Sequence, residues 1–378
     1  MKTLINLFLG LFGVLFANAY QGPLIMTVIP GQTGECCRTV QRSLASIAGD
    51  NDFSDKIENP GTLAGLMSGR NRTGFAQVPL QDPQGRTRIV QVRYIQKLNE
   101  TAADSRSGIC DAGDTESERF ANVETSYYRE VKLTLDDGEF QEFCATQSTF
   151  REEMTVKKLN VLYSGMNTDM VTEMAGLKGN FYGGAGAGNG PLSIPMINTD
   201  GTAQYWGETE ILDSFEDIEV SARPLLAGTG NLRKYTRLLN IGCCNDGGQD
   251  INKAGAFDYY RDSQVDSIIA GDNNILAWSP GAAQIFWNNR YVGQFQKFDA
   301  QNAKTTIIDP RFGISLDMTV YYNWCEDDNT RSQWIITWGV DFGLFVLPSD
   351  LAAVGNNWTG VNNILHFQAT CGDVDVCS

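Results

Sequence analysis

The chain of 378 residues holds one histidine, 11 prolines, and 29 lysines and arginines against 45 aspartates and glutamates. Each scarcity narrows the chemistry. A single imidazole leaves a zinc site only as a thiolate-dominated one, and the cysteine spacings do not support it. The lone His366 sits in the apolar run ILHFQ, where a packed, hydrogen-bonded ring is expected rather than a general base. The net charge of −16 repels phosphate, which disfavours a broad nucleic-acid groove. No Cys-x-x-Cys spacing occurs among the nine cysteines, although Cys36-Cys37 and Cys243-Cys244 are neighbours. Buried, reduced thiols are the expectation, with a Cys371–Cys377 disulfide as the lesser alternative. There is no G-x-S-x-G nucleophile elbow. The glycine run GGAGAGNGP, Gly183 to Pro191, lacks the G-K-[ST] ending of a phosphate loop and reads as a hinge or loop.

Carboxylates are the one abundant reactive group. Asp309, Asp317, Asp327, Asp328 and Asp341 are the natural candidates for a glycosidase pair, which in retaining enzymes stands about 5 Å apart. In so acidic a chain such residues are expected on the solvated surface. No catalytic residue, metal or cofactor is expected.

The start of the chain, MKTLINLFLGLFGVLFANAY, combines Lys2, an apolar run from Leu4 to Phe16 and Ala17-Asn18-Ala19. It reads as an apolar arm packing on a neighbour, with a cleavable signal peptide as the alternative. The run is short for a membrane span, and no membrane association is expected. If exported, the sequons at Asn71, Asn99 and Asn357 become glycosylation candidates.

Further along, Val40, Leu44, Ile47 and Ala48 have helical spacing, and the polar stretch to Gly74 reads as part of an arm. Arg88 to Leu98 and Ser126 to Leu135 alternate as strands and are expected to pair as a long hairpin around the charged segment Asn99 to Val123. Asp137-Gly138 suggests a second, tight hairpin turn. From Thr149, the residues Phe150, Met154, Leu159, Leu162, Met166, Met170 and Met174 trace one stripe of a long helix, interrupted at Gly165 and capped by the glycines at 176 to 179. A helix is predicted over Asp213 to Ala222, a strand at RPLLAG, a helix over Phe257 to Ile269, and a buried strand at Ile275 to Trp278. Pro280 to Trp287 reads as a turn into a short helix or strand. Thr305 to Ile308, Leu316 to Tyr322 and Gln333 to Val346 read as three neighbouring antiparallel strands, the first two joined by the Asp309-Pro310…Gly313 corner.

Five phrases carry a further signal: RPLLAGTGNL, FDYYRDSQVDSIIAGDNNILAWSPGAAQIFW, IIDPRFGISLDMTVYYNW, WGVDFGLFVLPSDL and GVNNILHF. In this order, after an arm, a charged hairpin and a long helix, they resemble the major capsid proteins of tailed bacteriophages, from about Arg223 to Phe367. The resemblance implies the Hong Kong-97-like capsid fold of the α+β class. Its parts would be an N-terminal arm (1–72), an extended hairpin loop (73–148), and a peripheral domain with a spine helix (149–222). An axial domain (223–304) and a shared antiparallel sheet with the C-terminal segment (305–378) would follow. It implies self-assembly into an icosahedral shell around double-stranded DNA. The partners would be copies of the chain in hexamers and pentamers, with portal, scaffolding and decoration proteins as further ones. Arg106, Asp111, Asp114, Glu116, Glu118 and Arg119 on the hairpin are expected at the subunit interface, setting register by charge. The localisation implied is the virion, after assembly in a host cytoplasm. The rival readings are a secreted or surface β-rich protein that binds glycans or forms a surface layer, and a secreted glycoside hydrolase.

Overall fold

The computed structural model describes residues 36–37, 40–41, 61–69, 71, 76–78, 89–95, 118–145, 149–182, 189–218, 223–240, 253–254, 257–291, 296–298, 302–309, 312–323, 333–347, 358 and 363–372. Helices and sheets are mixed along the chain, as an α+β fold requires. Helix α1 (Thr62–Met67) belongs to the core rather than to a polar arm, because Leu63, Leu66 and Met67 are buried. Strands β1 (Ala76–Val78), β2 (Ile89–Ile95) and β3 (Glu118–Glu124) form an antiparallel sheet of their own.

This pairing corrects the expected hairpin. The partner of β2 is β3, drawn from the segment read as charged tip, while β4 (Tyr127–Leu135) departs to pair with the strand Gln333–Val346 of a six-stranded sheet. The reason lies in the alternation of β4: Val131, Leu133 and Leu135 are buried on one face, and a two-stranded ribbon in solvent would leave that face wet. Asp137-Gly138 is likewise no hairpin turn. It opens helix α2 (Asp137–Cys144), because Asp136 Oδ1 accepts from the Glu139 amide at 2.8 Å while Glu139 Oε2 accepts from the Asp136 amide at 3.1 Å.

The long helix is present as α3 (Thr149–Leu177), 29 residues and about 44 Å long. Leu159, Leu162, Met166, Met170 and Met174 form its buried seam. It runs without a break through Gly165, where the Arg129 side chain lies across the helix on its way to Asp169. Glycine there costs about 1 kcal/mol of helix propensity, less than the packing of the seam returns. No left-handed glycine caps the C-terminal end; Lys178 Nζ donates to the Ala175 carbonyl at 2.9 Å instead.

Two short strands, β5 (Phe181–Tyr182) and β6 (Asn189–Gly190), pair across residues 183–188, which lie outside the described residues. Then come β7 (Leu192–Ile197), α4 (Trp206–Asp217), β8 (Leu225–Gly228), α5 (Asn231–Asn240), β9 (Lys253–Ala254), β10 (Phe257–Arg261), α6 (Gln264–Ile268) and β11 (Asn274–Trp278). Helix α4 begins seven residues before the expected Asp213. The predicted helix over Phe257 to Ile269 divides: FDYYR is a strand parallel to β8, and only Gln264–Ile268 is helical. Its aromatics favour a pleated, half-buried surface, and β8 offers an open edge.

The remaining strands are β12 (Ala283–Asn288), β13 (Lys297–Phe298), β14 (Asn302–Ile308), β15 (Ser315–Asn323), β16 (Gln333–Val346) and β17 (Ile364–Cys371). β14, β15 and β16 are antiparallel neighbours, as their alternation predicts. At the corner, the Gly313 amide donates to the Asp309 carbonyl at 2.8 Å, with Gly313 at φ 67°. One six-stranded sheet runs β7-β17-β11-β8-β10-β9; the other body sheet runs β12-β16-β15-β14-β13, with β4 also paired to β16. β7 and β17 thus join the sheet of β8, β10 and β11, whereas β12, β13 and β14 lie in the antiparallel one.

Cysteine corrects the expectation of reduced thiols. Cys36 and Cys144 form a disulfide across 108 residues of sequence, fastening the helical residues 36–37 to the end of α2. Cys37 beside it is a free, fully buried thiol, its pKa pushed up to about 12 by burial. Cys371 is free and exposed, and Cys377 lies outside the described residues.

Candidate functional site

The β1–β2–β3 sheet is separate from the two six-stranded sheets, and the end of β3 has a defined seat. Val123, at the end of β3, packs with Phe286 of β12 and Phe345 of β16. Gly343 makes the crossing feasible, since a Cβ there would stand 2.4 Å from the Glu124 carbonyl oxygen. Of the expected interface residues, Glu118 and Arg119 lie on β3, opposite Ile95 and Tyr94. Arg106, Asp111, Asp114 and Glu116 lie outside the described residues.

A second focus ties three parts of the chain together. The Asp262 carboxylate, buried after β10, accepts at Oδ2 from the Thr62 amide (2.9 Å), the Thr62 hydroxyl (2.7 Å) and Asn167 Nδ2 (2.9 Å). Its Oδ1 accepts from the Gln264 amide at 2.9 Å, and Asn167 Oδ1 accepts from the Leu63 amide at 2.8 Å. Helices α1 and α3 and the β10–α6 junction therefore share one polar knot. Sequence pattern alone gave no signal for it, because its members are 95 to 200 residues apart.

The third focus is a polar cavity of about 380 Å³ on the outer face of the antiparallel sheet, lined in part by Tyr128, Glu130, Lys132, Arg290, Lys304 and Asp317. Arg290 grips Asp341 through two nitrogens, the Nη2 contact being 2.8 Å, and its guanidinium lies 4.5 Å from the Tyr128 ring centroid. Burial pushes the Asp317 carboxyl above its usual range, opposed by the amides of Arg290 and Tyr291 that donate to it.

These positions correct the view of the acidic residues as solvated: Asp309, Asp317 and Asp341 are all buried. Each has a structural occupation. Asp309 Oδ2 accepts from the Phe312 amide at 3.1 Å within the corner, Asp317 holds the Arg290–Tyr291 backbone, and Asp341 holds the Arg290 side chain. Asp327 and Asp328 lie outside the described residues. Burial also overturns Asn71 as a glycosylation candidate, since its Nδ2 donates to Leu66 O and Ala283 O at 3.0 and 2.7 Å. His366 is the packed ring expected: Nε2 lies 3.0 Å from Asn274 Oδ1 and Nδ1 3.2 Å from Asn180 Oδ1. Asn274 Nδ2 donates to Asp266 Oδ1, Ile269 O and Gly271 O, which turns its Oδ1 toward the ring. Burial, then the charge of Lys178, lowers the His366 pKa to about 4. Among the described residues no group of three histidine, cysteine or carboxylate side chains is placed to hold a metal, and no helix is long and apolar enough to cross a membrane.

No family model and no curated protein matches the sequence. Solved structures resemble it in fold at low identity. The capsid structure of the cyanophage P-SCSP1u is 10% identical, covering 75% of this chain and 84% of its own, with a TM-score of 0.38. The capsid of a native GTA particle is 6% identical, over 75% of this chain and 86% of its own, with a TM-score of 0.41. A structure from Mycobacterium phage Bobi is 12% identical, over 76% and 87%, with a TM-score of 0.37.

Proposed function

We propose that the chain is a major capsid protein that tiles with copies of itself into an icosahedral shell around a double-stranded DNA genome. The observation that carries this reading is the order of parts along one chain. A separate hairpin sheet is anchored at its base by Val123; a 29-residue helix follows; then come a mixed sheet with helices packed on it and a long antiparallel sheet. That order supports the reading in its broad sequence of parts, although the hairpin pairs β2 with β3 rather than with β4. The hairpin is suited to lie over a neighbouring subunit, α3 to serve as the spine of a peripheral domain, and the β7–β11 sheet to form an axial domain. The division at 1–72, 73–148, 149–222, 223–304 and 305–378 is part of the proposal, with β7 and β17 crossing into the axial sheet. The deeply buried, structurally engaged carboxylates favour a structural role over catalysis. Partners are copies in hexamers and pentamers, joined by portal, scaffolding and decoration proteins; the location is the virion, after assembly in a host cytoplasm.

The Cys36–Cys144 disulfide favours an oxidising end state. A virion surface supplies one as well as a secretory route does. Intact-mass measurement of purified particles separates the two: loss of residues 1–19 supports export through a signal peptide, and retention supports an arm. Sedimentation and electron microscopy of the full chain test the main reading, with megadalton shells or rings expected. A protein that stays monomeric at high concentration across salt conditions overturns it.

A further inference from the structure

Two helices pack side by side on one face of the β7–β17–β11–β8–β10–β9 sheet. Ile211 and Phe215 of α4 and Leu232 and Tyr235 of α5 enter the same apolar cluster, with Leu226, Ile275, Ala277 and Phe367 of the strands beneath. Their outward charges are opposite. Helix α4, WGETEILDSFED, carries five carboxylates and no cation; α5, NLRKYTRLLN, carries Arg233, Lys234 and Arg237 and no carboxylate.

Apart from Glu208, whose carboxylate meets the Tyr235 hydroxyl of α5, those charges are not spent inside the subunit. Among the described residues, neither Glu210, Asp213, Glu216 and Asp217 nor Arg233, Lys234 and Arg237 make an ion pair. Asp213, Glu216, Asp217, Lys234 and Arg237 are exposed, and Glu210 and Arg233 half-buried. At the start of α4, two large aromatics also face solvent, Tyr205 at 64% and Trp206 at 41% exposure. Exposed tyrosine and tryptophan beside charge are the composition in which interface energy concentrates.

We propose that the acidic face of α4, with Tyr205 and Trp206, binds the basic face of α5 on a second copy of this chain. With both helices on one face, a two-fold pair (α4 on α5 and α5 on α4 at once) would meet the same complementarity; the shell reading selects the head-to-tail contact, in which each subunit offers α4 to one neighbour and α5 to the other. Such a contact repeats as a ring where its rotation closes and as an open filament where it does not. Charge fixes which face meets which and speeds encounter, while the aromatics resist separation by stacking under Arg233 or Arg237. A chain with net charge −16 is otherwise self-repelling, so a local cationic face is the natural landing place for its own acidic surface. This inference rests on the shell reading for the ring geometry, with the β7–β11 sheet as the axial lobe, but not for the existence of the contact.

The test is a charge swap on the full chain, read by sedimentation and electron microscopy. One variant carries Arg233→Glu, Lys234→Glu and Arg237→Glu; a second carries Glu210→Lys, Asp213→Lys and Glu216→Lys; a third carries all six changes. Each triple swap should raise the concentration needed for self-association at least about tenfold at low salt, and the six-fold swap should return it to within about threefold of the parent. Circular dichroism checks that each is folded. Where a swap unfolds, glutamine at the same three positions of α5 replaces it, and the salt dependence of association should flatten. Unchanged association in a folded triple swap, or no recovery in the folded six-fold swap, overturns the proposal. So does a basic-face swap that loses only affinity for a short DNA duplex, which would assign α5 to phosphate instead. If the parent forms shells that ignore the swaps, this contact is wrong and the shell reading stands. If it forms only small oligomers that the swaps dissolve, the contact stands and the shell reading falls.

Discussion

Replacing Asp262 should loosen the junction at which α1, α3 and the β10–α6 turn meet. In Asp262→Ala the buried Thr62 amide and the Gln264 amide lose their acceptors, and Asn167 Nδ2 keeps only Gln264 Oε1, at 2.7 Å. An unsatisfied buried donor costs about 1–3 kcal/mol, and relief from burying one carboxylate offsets part of the sum. The expected loss is roughly 2–4 kcal/mol. Asp262→Asn keeps the shape but turns its NH2 group toward at least one of those donors, for a loss of roughly 1–2 kcal/mol. Gly61→Ala attacks the same knot sterically, because Gly61 has φ 54° and its added Cβ would stand 2.4 Å from Asp262 Cβ. Urea titration followed by tryptophan fluorescence reads the effect, since Trp278 lies against Gly65 of α1. A midpoint for Asp262→Ala equal to the parent's would refute the idea that this knot holds the parts together.

Other outcomes follow from the same geometry. Deleting residues 99–116, which spares β2 and β3, should leave a subunit with the parent's unfolding midpoint that no longer assembles; normal particles would remove the hairpin from the assembly account. Reduction, or Cys36→Ser with Cys144→Ser, should lower stability by about 2–4 kcal/mol given the 108-residue separation, and peptide mapping of the unreduced protein should find a Cys36–Cys144 crosslinked peptide that reduction removes. The folded-state pKa of His366 is below its ordinary value, so the unfolded chain binds the extra proton first as pH falls. Stability should hold above pH 6.5 and decline toward pH 4, by roughly 2–4 kcal/mol for this residue. His366→Gln should remove that component of the pH profile; an unchanged profile would show the ring is not responsible.

What the sequence disclosed, and what it hid, divides along a physical line. Where one face is buried and the next exposed, periodicity speaks: the strands from Thr305 to Val346 and the methionine seam of α3 could be read directly. Where the same letters serve two local structures, it does not. Asp-Asp-Gly-Glu supports a hairpin turn as readily as a capping box, and only the reciprocal Asp136–Glu139 bonds decide between them. FDYYRDSQVDSII has helical spacing over its whole length, yet the free edge of β8 draws its first five residues into a strand. Partners distant in sequence left no trace at all. Nothing in Cys36-Cys37 indicates Cys144, and the shift of β4 away from β2 depends on β16, some 200 residues on. The interface charges from Arg106 to Arg119 remain an expectation drawn from the resemblance, whereas the opposed charges of α4 and α5 stand out only once the fold sets those helices side by side.

The central claim is that copies of this chain tile by reaching over one another. Cryo-electron microscopy of the purified full chain tests it most directly. Closed icosahedral particles, with the β2–β3 hairpin of each subunit resting on its neighbour, are the predicted result; a monodisperse monomer at every salt and protein concentration would contradict it.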